Sequence, residues 1–148
     1  MKVVLLRHAA AVPEDYNLAD MYRYLTPAGR EAAKLQRARL LESVGPISGI
    51  FTSPLTRAVQ TAELLSAGDI PVVAVQALAP YGRLQDAADE VTMTGENVMV
   101  VGHQPSIEAL TSFLSGGQNV PGFRTAEAAL VEDGVLQWRW PPGSEQPG

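Results

Sequence analysis

The sequence predicts a layered α/β fold, a three-layer α/β/α sandwich around a mostly parallel sheet, with an antiparallel hairpin at the C-terminal end. Three observations carry this expectation. Short apolar runs rich in β-branched residues recur at Val3–Leu6, Ile47–Thr52, Val72–Val75 and Val98–Val101, and such runs suit strands covered on both faces. Each run precedes a stretch with helical periodicity and its own start or stop signal. Asp133-Gly134, a pair that favours a tight turn, then separates Ala126–Glu132 from Val135–Trp140.

After the first strand and a loop, Thr26-Pro27 reads as an N-cap with proline at the first helical position. Ala28, Ala32, Leu35, Ala38 and Leu41 then recur at helical spacing until Gly45-Pro46 stops the pattern. The second strand leads into Ser53-Pro54, read as another cap plus proline, and a helix with Leu55, Ala58, Ala62 and Leu65 on one side that ends near Gly68. The third strand precedes a helix from about Arg83 to Val91; the fourth precedes one from about Pro105 to Leu114, closed by Gly116-Gly117.

At 148 residues, 46% apolar and 18% charged, the chain is expected to form a single domain over residues 1–140, with a flexible tail at 141–148. A formal net charge of −5 argues against general nucleic-acid binding. The absence of cysteine excludes disulfides, thiolate metal sites and cysteine nucleophiles. Arg7 interrupts the N-terminal apolar run too early for a secretory signal, and no stretch has the length of a membrane span, so a cytoplasmic protein without membrane or nucleic-acid partners is expected.

The chemistry gathers at strand-to-helix junctions. Arg7-His8 lies just past the first strand, Arg57 in the first turn of the helix after the second, and Gly102-His103 just past the fourth. In layered α/β folds ligands sit beyond this edge of the sheet. A cation in the first turn of a helix faces the positive end of the helix dipole, so Arg57 points to an anion nearby. Two arginines, two histidines and helix N-terminal amides that converge would form a pocket for a dianion such as phosphate. Crowding by arginines disfavours a charged imidazole, so His8 is the candidate nucleophile. It would attack phosphorus while Arg7, Arg57 and His103 hold the equatorial oxygens, and water would cleave the phosphohistidine intermediate. No metal or cofactor is expected, because the chain has two histidines, no HExxH, no Walker loop and no GxGxxG.

Together these residues resemble the histidine phosphatase superfamily, with its phosphoglycerate-mutase-like fold, and within it the short phosphohistidine phosphatases of the SixA type. The matching stretches are "LLRHAAA" at Leu5, "YRYLTPAGR" at Tyr22, "FTSPLTRAVQTAELL" at Phe51 and "VVGHQPS" at Val100. The resemblance implies the same roles for His8, Arg7, Arg57 and His103, and adds Arg23 as a further substrate contact. Two departures stand out. Ala9 replaces the glycine of the usual RHG motif. The segment after the third strand, "VQALAPYG", lacks the carboxylate with which larger members protonate a leaving oxygen.

A missing acid suits a P–N substrate, whose imidazole leaves more readily than an alkoxide. Glu14, Asp15 and Asp20, in the loop after the first strand, are the remaining candidate proton donors. The loop from Ala9 to Leu25 is the only extended connection before the cap, so there is no room for a long lid, which favours a phosphorylated protein loop as substrate. The expected activity is therefore a metal-independent phosphatase acting on phosphohistidine in a protein. The alternatives are a small-molecule phosphomonoesterase and a non-catalytic phosphate-binding module. Thr125 and Glu127, in "FRTAEAAL", read as a strand edge that could approach the pocket.

Overall fold

The computed structural model describes residues 1–15 and 17–148. Six strands form one sheet: β1 (Lys2–Arg7), β2 (Gly49–Thr52), β3 (Val72–Ala74), β4 (Val98–Gly102), β5 (Ala128–Glu132) and β6 (Val135–Trp140). Four α-helices connect or follow them: α1 (Pro27–Val44), α2 (Thr56–Ser66), α3 (Leu84–Thr92) and α4 (Ser106–Leu114). Strand order is β3-β2-β4-β1-β5-β6, with the first four mutually parallel and β5 and β6 antiparallel to their neighbours.

Alternation along the buried strands divides the core in two. Val3 and Leu5 of β1 and Val98 and Val100 of β4 pack under α3 and α4, against Ala87, Val91, Ile107 and Leu110. Val4 and Leu6, with Met99 and Val101, pack on the other face against Leu40 and Val44 of α1 and Ala58, Ala62 and Leu65 of α2. These are the three layers. Among the described residues no helix is long and apolar enough to cross a membrane.

Helix α1 begins as the sequence predicts, with Thr26 Oγ1 accepting from the Gly29 amide at 3.0 Å and Pro27 in the first turn. Gly29 is required by close approach: a Cβ there would meet the Ala10 carbonyl oxygen at 2.1 Å. The inward stripe, however, is Ala33, Gln36, Leu40 and Val44, while Ala28 and Leu35 are exposed. Gln36 explains the rotation. Its Nε2 donates to the carbonyls of Ala126 and Trp140, each at 2.7 Å, so a polar side chain is buried with its donors used.

The start of α2 also differs from expectation. The helix is capped at Leu55 and opens at Thr56, and Ser53 accepts from the Leu55 amide in the turn before it. The Asp133-Gly134 turn forms as predicted, with φ of +50° and +79°. Strand β5 starts at Ala128, two residues later than the apolar pattern suggests, because Ala126 adopts φ +59° and breaks the extended run. At the C-terminus, Arg139 and Gly148 exchange backbone hydrogen bonds of 2.9 and 2.8 Å, and the Trp140 indole donates to the Ser144 carbonyl.

Candidate active site at the carboxyl ends of β1, β4 and β2

Parallel register brings the junction residues together. Arg7 pairs with Gly102 across β1 and β4, and Thr52 pairs with Val101 across β2 and β4. The next residues therefore leave three adjacent strands at one edge, tied by His8 N–H to the Gly102 carbonyl and Ser53 N–H to the Val101 carbonyl, both at 3.0 Å. His8 and His103 end with ring centroids 5.2 Å apart. Both are almost fully buried, 6% and 3% exposed. Arg57, in the first turn of α2, reaches the same point, with Nε 3.3 Å from His8 Nε2.

The tautomer of His8 follows from its neighbours. Nδ1 lies 2.7 Å from the Ala9 carbonyl and must carry the hydrogen, which leaves a lone pair on Nε2 to accept from Arg57. Burial pushes the His8 pKa down to about 4; the Ala9 bond opposes this and the charges of Arg57, Arg7 and Arg23 reinforce it. His8 is thus a neutral imidazole at pH 7, with an unprotonated nitrogen facing guanidinium groups.

His103 is also held neutral, its pKa lowered to about 3 by burial, then by His8 and Arg57. Its Nε2 lies 2.7 Å from Ser53 Oγ, and its Nδ1 is buried without a hydrogen-bond partner among the described residues. The Arg7 guanidinium donates through Nη1 to the Phe123 carbonyl at 3.0 Å, while its buried Nε has no such partner. The unpartnered Arg7 Nε and His103 Nδ1, on residues whose charges couple to Arg57, are nitrogens that oxyanion oxygens could engage.

Arg23 joins the cluster through Asp20. Its Nη1 donates to Asp20 Oδ1 at 3.0 Å and its Nε to the Val12 carbonyl at 2.7 Å. Arg57 donates to the Asp20 carbonyl at 2.8 Å and to Oδ2 at 3.3 Å. Hydrogen bonding from Arg23, and then the charge and bond of Arg57, hold the Asp20 carboxyl below the usual carboxylate range. Of the three loop carboxylates considered as donors, Asp20 reaches the site, as a charged partner of two arginines.

Several contributors hold roles that the sequence reading does not assign to them. Ser53, read as a helix cap, instead supports His103. Thr61, one turn after Arg57, accepts from the Ala9 amide at 3.0 Å and donates to the Arg57 carbonyl at 2.8 Å, locking helix to loop. Glu127 accepts from the Arg124 amide at 2.9 Å and pairs with Arg139 at 2.5 Å, while Arg139 also donates to the carbonyls of Pro121 and Gly122. That network shapes the loop whose Phe123 carbonyl holds Arg7. Ala9, in place of glycine, is not among the residues with positive φ, so its Cβ carries no backbone strain. Among the described residues no three histidine, aspartate or glutamate side chains are grouped to hold a metal ion.

The sequence model of the histidine phosphatase superfamily (branch 1) matches residues 3–90, more than half of the chain. The chain belongs to the histidine phosphatase superfamily. An uncharacterized protein of Picosynechococcus sp. is 32% identical over 143 residues, covering 88% of this chain and 83% of that protein. The structure of the protein histidine phosphatase SixA complexed with tungstate is 27% identical, with a TM-score of 0.86 over 96% of this chain and 97% of that one. A putative phosphohistidine phosphatase SixA from Agrobacterium tumefaciens is 25% identical, with a TM-score of 0.84 over 95% and 98% of the two chains. The α/β architecture is accordingly the phosphoglycerate-mutase-like fold of this superfamily.

Proposed function

We propose that this member of the superfamily removes the phosphoryl group from phosphohistidine in a protein, through a phosphohistidine intermediate on His8. The observation that carries the proposal is the His8 imidazole, with Nδ1–H tied to the Ala9 carbonyl and its Nε2 lone pair in the arginine-lined site. In this reading Nε2 attacks phosphorus and the P–N bond to the substrate imidazole breaks, that imidazole leaving as a neutral ring because its other nitrogen already carries the proton. Water then attacks phosphorus, the bond to His8 Nε2 breaks, and inorganic phosphate departs. Arg7, Arg57 and His103 bind the equatorial oxygens throughout, and Arg23 contributes positive charge at the rim.

The substrate class is supported by the segment from Val75 to Gly82, which brings no carboxylate to the site, and by the charged state of Asp20. Neither offers a ready proton donor for an alkoxide. The likeness to SixA, a protein histidine phosphatase seen with the tetrahedral oxyanion tungstate, points the same way.

The test is a steady-state comparison of a phosphohistidine protein, sugar phosphates and p-nitrophenyl phosphate, with mass-spectrometric mapping of the trapped phosphoryl group. Preference for phosphohistidine and a label on His8 are expected. His8→Ala should abolish turnover and leave phosphate binding largely intact. A label on His103, or higher kcat/KM on alkyl esters, would overturn the proposal.

A further inference from the structure

A cavity of about 270 Å³ opens beside His103, between the turn after β3 and the facing helices α3 and α4. Leu78, Leu84, Ala87, Ile107 and Leu110 give its wall an apolar character, and among the described residues His103 is the one titratable lining group. Among the described residues no arginine, lysine, aspartate or glutamate lines it. The cavity borders the candidate active site and shares two residues with it: His103 itself, and Gly102, whose carbonyl accepts from the His8 amide at 3.0 Å.

Its walls are built in advance of any ligand. The turn after β3 is closed by backbone hydrogen bonds from Leu78 to Val75, Ala79 to Gln76 and Gly82 to Ala79, at 3.1, 3.0 and 2.8 Å. Gly82 permits that turn, since a Cβ there would lie 2.0 Å from the Ala77 carbonyl oxygen. On the opposite wall the Ile107 amide donates to the His103 carbonyl, fixing the start of α4 to the site. Leu84 remains 39% exposed, an apolar edge without a cover.

Size and chemistry restrict the occupant. A cavity of about 150 Å³ lined by similar side chains accepts a benzene ring, and pockets for drug-sized ligands start at about 300 Å³. The present cavity lies between these limits, which suits one leucine, methionine or phenylalanine side chain. A charged group would lose its hydration there with no ionic partner to replace it. A phosphoryl group held by the arginines would tether such a side chain at the mouth, so its burial would add to the binding of the whole substrate.

We propose that this cavity is a specificity subsite that receives an apolar side chain flanking the phosphorylated residue of the protein substrate. The inference rests on the phosphatase reading above and adds a sequence preference to it.

The experiment measures kcat/KM on two phosphohistidine peptides that differ at one flanking position, leucine against aspartate, with the native chain and with Ala109→Phe. Ala109 is an exposed residue on the cavity rim, so a larger side chain there fills the space from outside. The native chain is expected to favour the leucine peptide by about tenfold, mainly through KM, as one buried apolar group in a pocket allows. Ala109→Phe should bring the ratio towards one, and Ala77→Met, on the facing wall, should lower it in the same sense. Equal kcat/KM for the two peptides, or a ratio unchanged in both variants, would overturn the subsite. If the native chain hydrolyses alkyl phosphates and neither peptide, the phosphohistidine reading fails alone. The subsite is then read from hexyl phosphate against glycerol phosphate, where loss of the hexyl preference in Ala109→Phe supports it and its persistence overturns it.

Discussion

Ser53 and His103, fifty positions apart in the chain, share a buried 2.7 Å hydrogen bond between Oγ and Nε2. Ser53 Oγ also accepts from the Leu55 amide, and with its own proton donated to Nε2 the hydroxyl is engaged as both donor and acceptor. In that arrangement the hydrogen of a neutral His103 ring sits on Nδ1, the buried nitrogen without a partner among the described residues. Ser53→Ala leaves Nε2 buried and unpaired, at a cost of about 1–3 kcal/mol, which corresponds to a fall in Tm of several degrees. It also releases the tautomer. A drop in kcat/KM of about tenfold is expected beyond any loss of folded protein, and unchanged kinetics with a lowered Tm would limit Ser53 to a structural role.

The two imidazoles should be silent in the pH range where histidines ordinarily titrate. The chain has two histidines, so its NMR spectrum offers two ring signals to follow. Midpoints near 4 for His8 and near 3 for His103 are expected, against about 6.5 for an unperturbed ring. The linkage sign follows. Below pH 6.5 the unfolded chain takes up protons that the folded chain refuses, so stability is full above that pH and falls steadily as pH drops towards 4 and 3. Asp20, held charged in the folded state, adds to the loss below about pH 4. Saturating phosphate should raise both histidine midpoints, because a bound dianion favours the charged rings. Ring signals titrating near 6.5 in the free protein would contradict the buried, neutral pair.

Asp20 competes with a bound anion for the arginines it now holds. Its carboxylate contacts Arg23 and Arg57 at 3.0 and 3.3 Å and is about half exposed. Asp20→Asn removes the charge and keeps the backbone carbonyl that also accepts from Arg57. Phosphate should then bind about two- to fivefold more tightly at low salt, an effect on the scale of an exposed ion pair. The gain should shrink as ionic strength rises. Competitive inhibition by phosphate measures it directly; weaker inhibition would mean that Asp20 chiefly orders Arg57. Because the carboxyl is ionised at neutral pH, the same substitution should leave kcat on phosphohistidine within about threefold, far from the hundredfold or greater loss expected for a general acid.

The parts legible in the sequence are those that follow from register and from single-face burial. Runs such as Val98–Val101 are apolar at every position because helices cover both faces of β4, and the ends of parallel neighbours share one edge. His8 and His103 could therefore be placed together without coordinates. Gln36 misdirected the reading of α1, since a buried amide that spends its donors on two carbonyls looks like a surface residue in a hydropathy pattern. Ser53 was equally opaque: its role depends on a loop turn that starts α2 three residues later. Arg23 was reached through family likeness, and its route into the site through Asp20 depends on the path of a long loop that carries no periodic signal.

Glu127 and Arg139 show the same limit on the other side of the pocket, and they yield the sharpest double-variant test. The pair is largely buried, with side chains 7% and 16% exposed, and Arg139 also lies over the Phe123 ring at 4.3 Å. Arg139→Met strands the Glu127 carboxylate and frees the Pro121 and Gly122 carbonyls, so a loss of about 3 kcal/mol is expected from the broken pair. Adding Glu127→Gln to Arg139→Met should cost less than the two single changes summed, because the second change removes the stranded charge. The functional consequence passes through Phe123, whose carbonyl fixes the Arg7 guanidinium. KM should rise about five- to tenfold in Arg139→Met, with kcat changing less, since in the proposed mechanism Arg7 would bind the phosphoryl oxygens before and during transfer. Denaturant unfolding supplies the first readout and steady-state kinetics the second. A destabilised variant with native KM would show that the pair holds the loop without setting the position of Arg7.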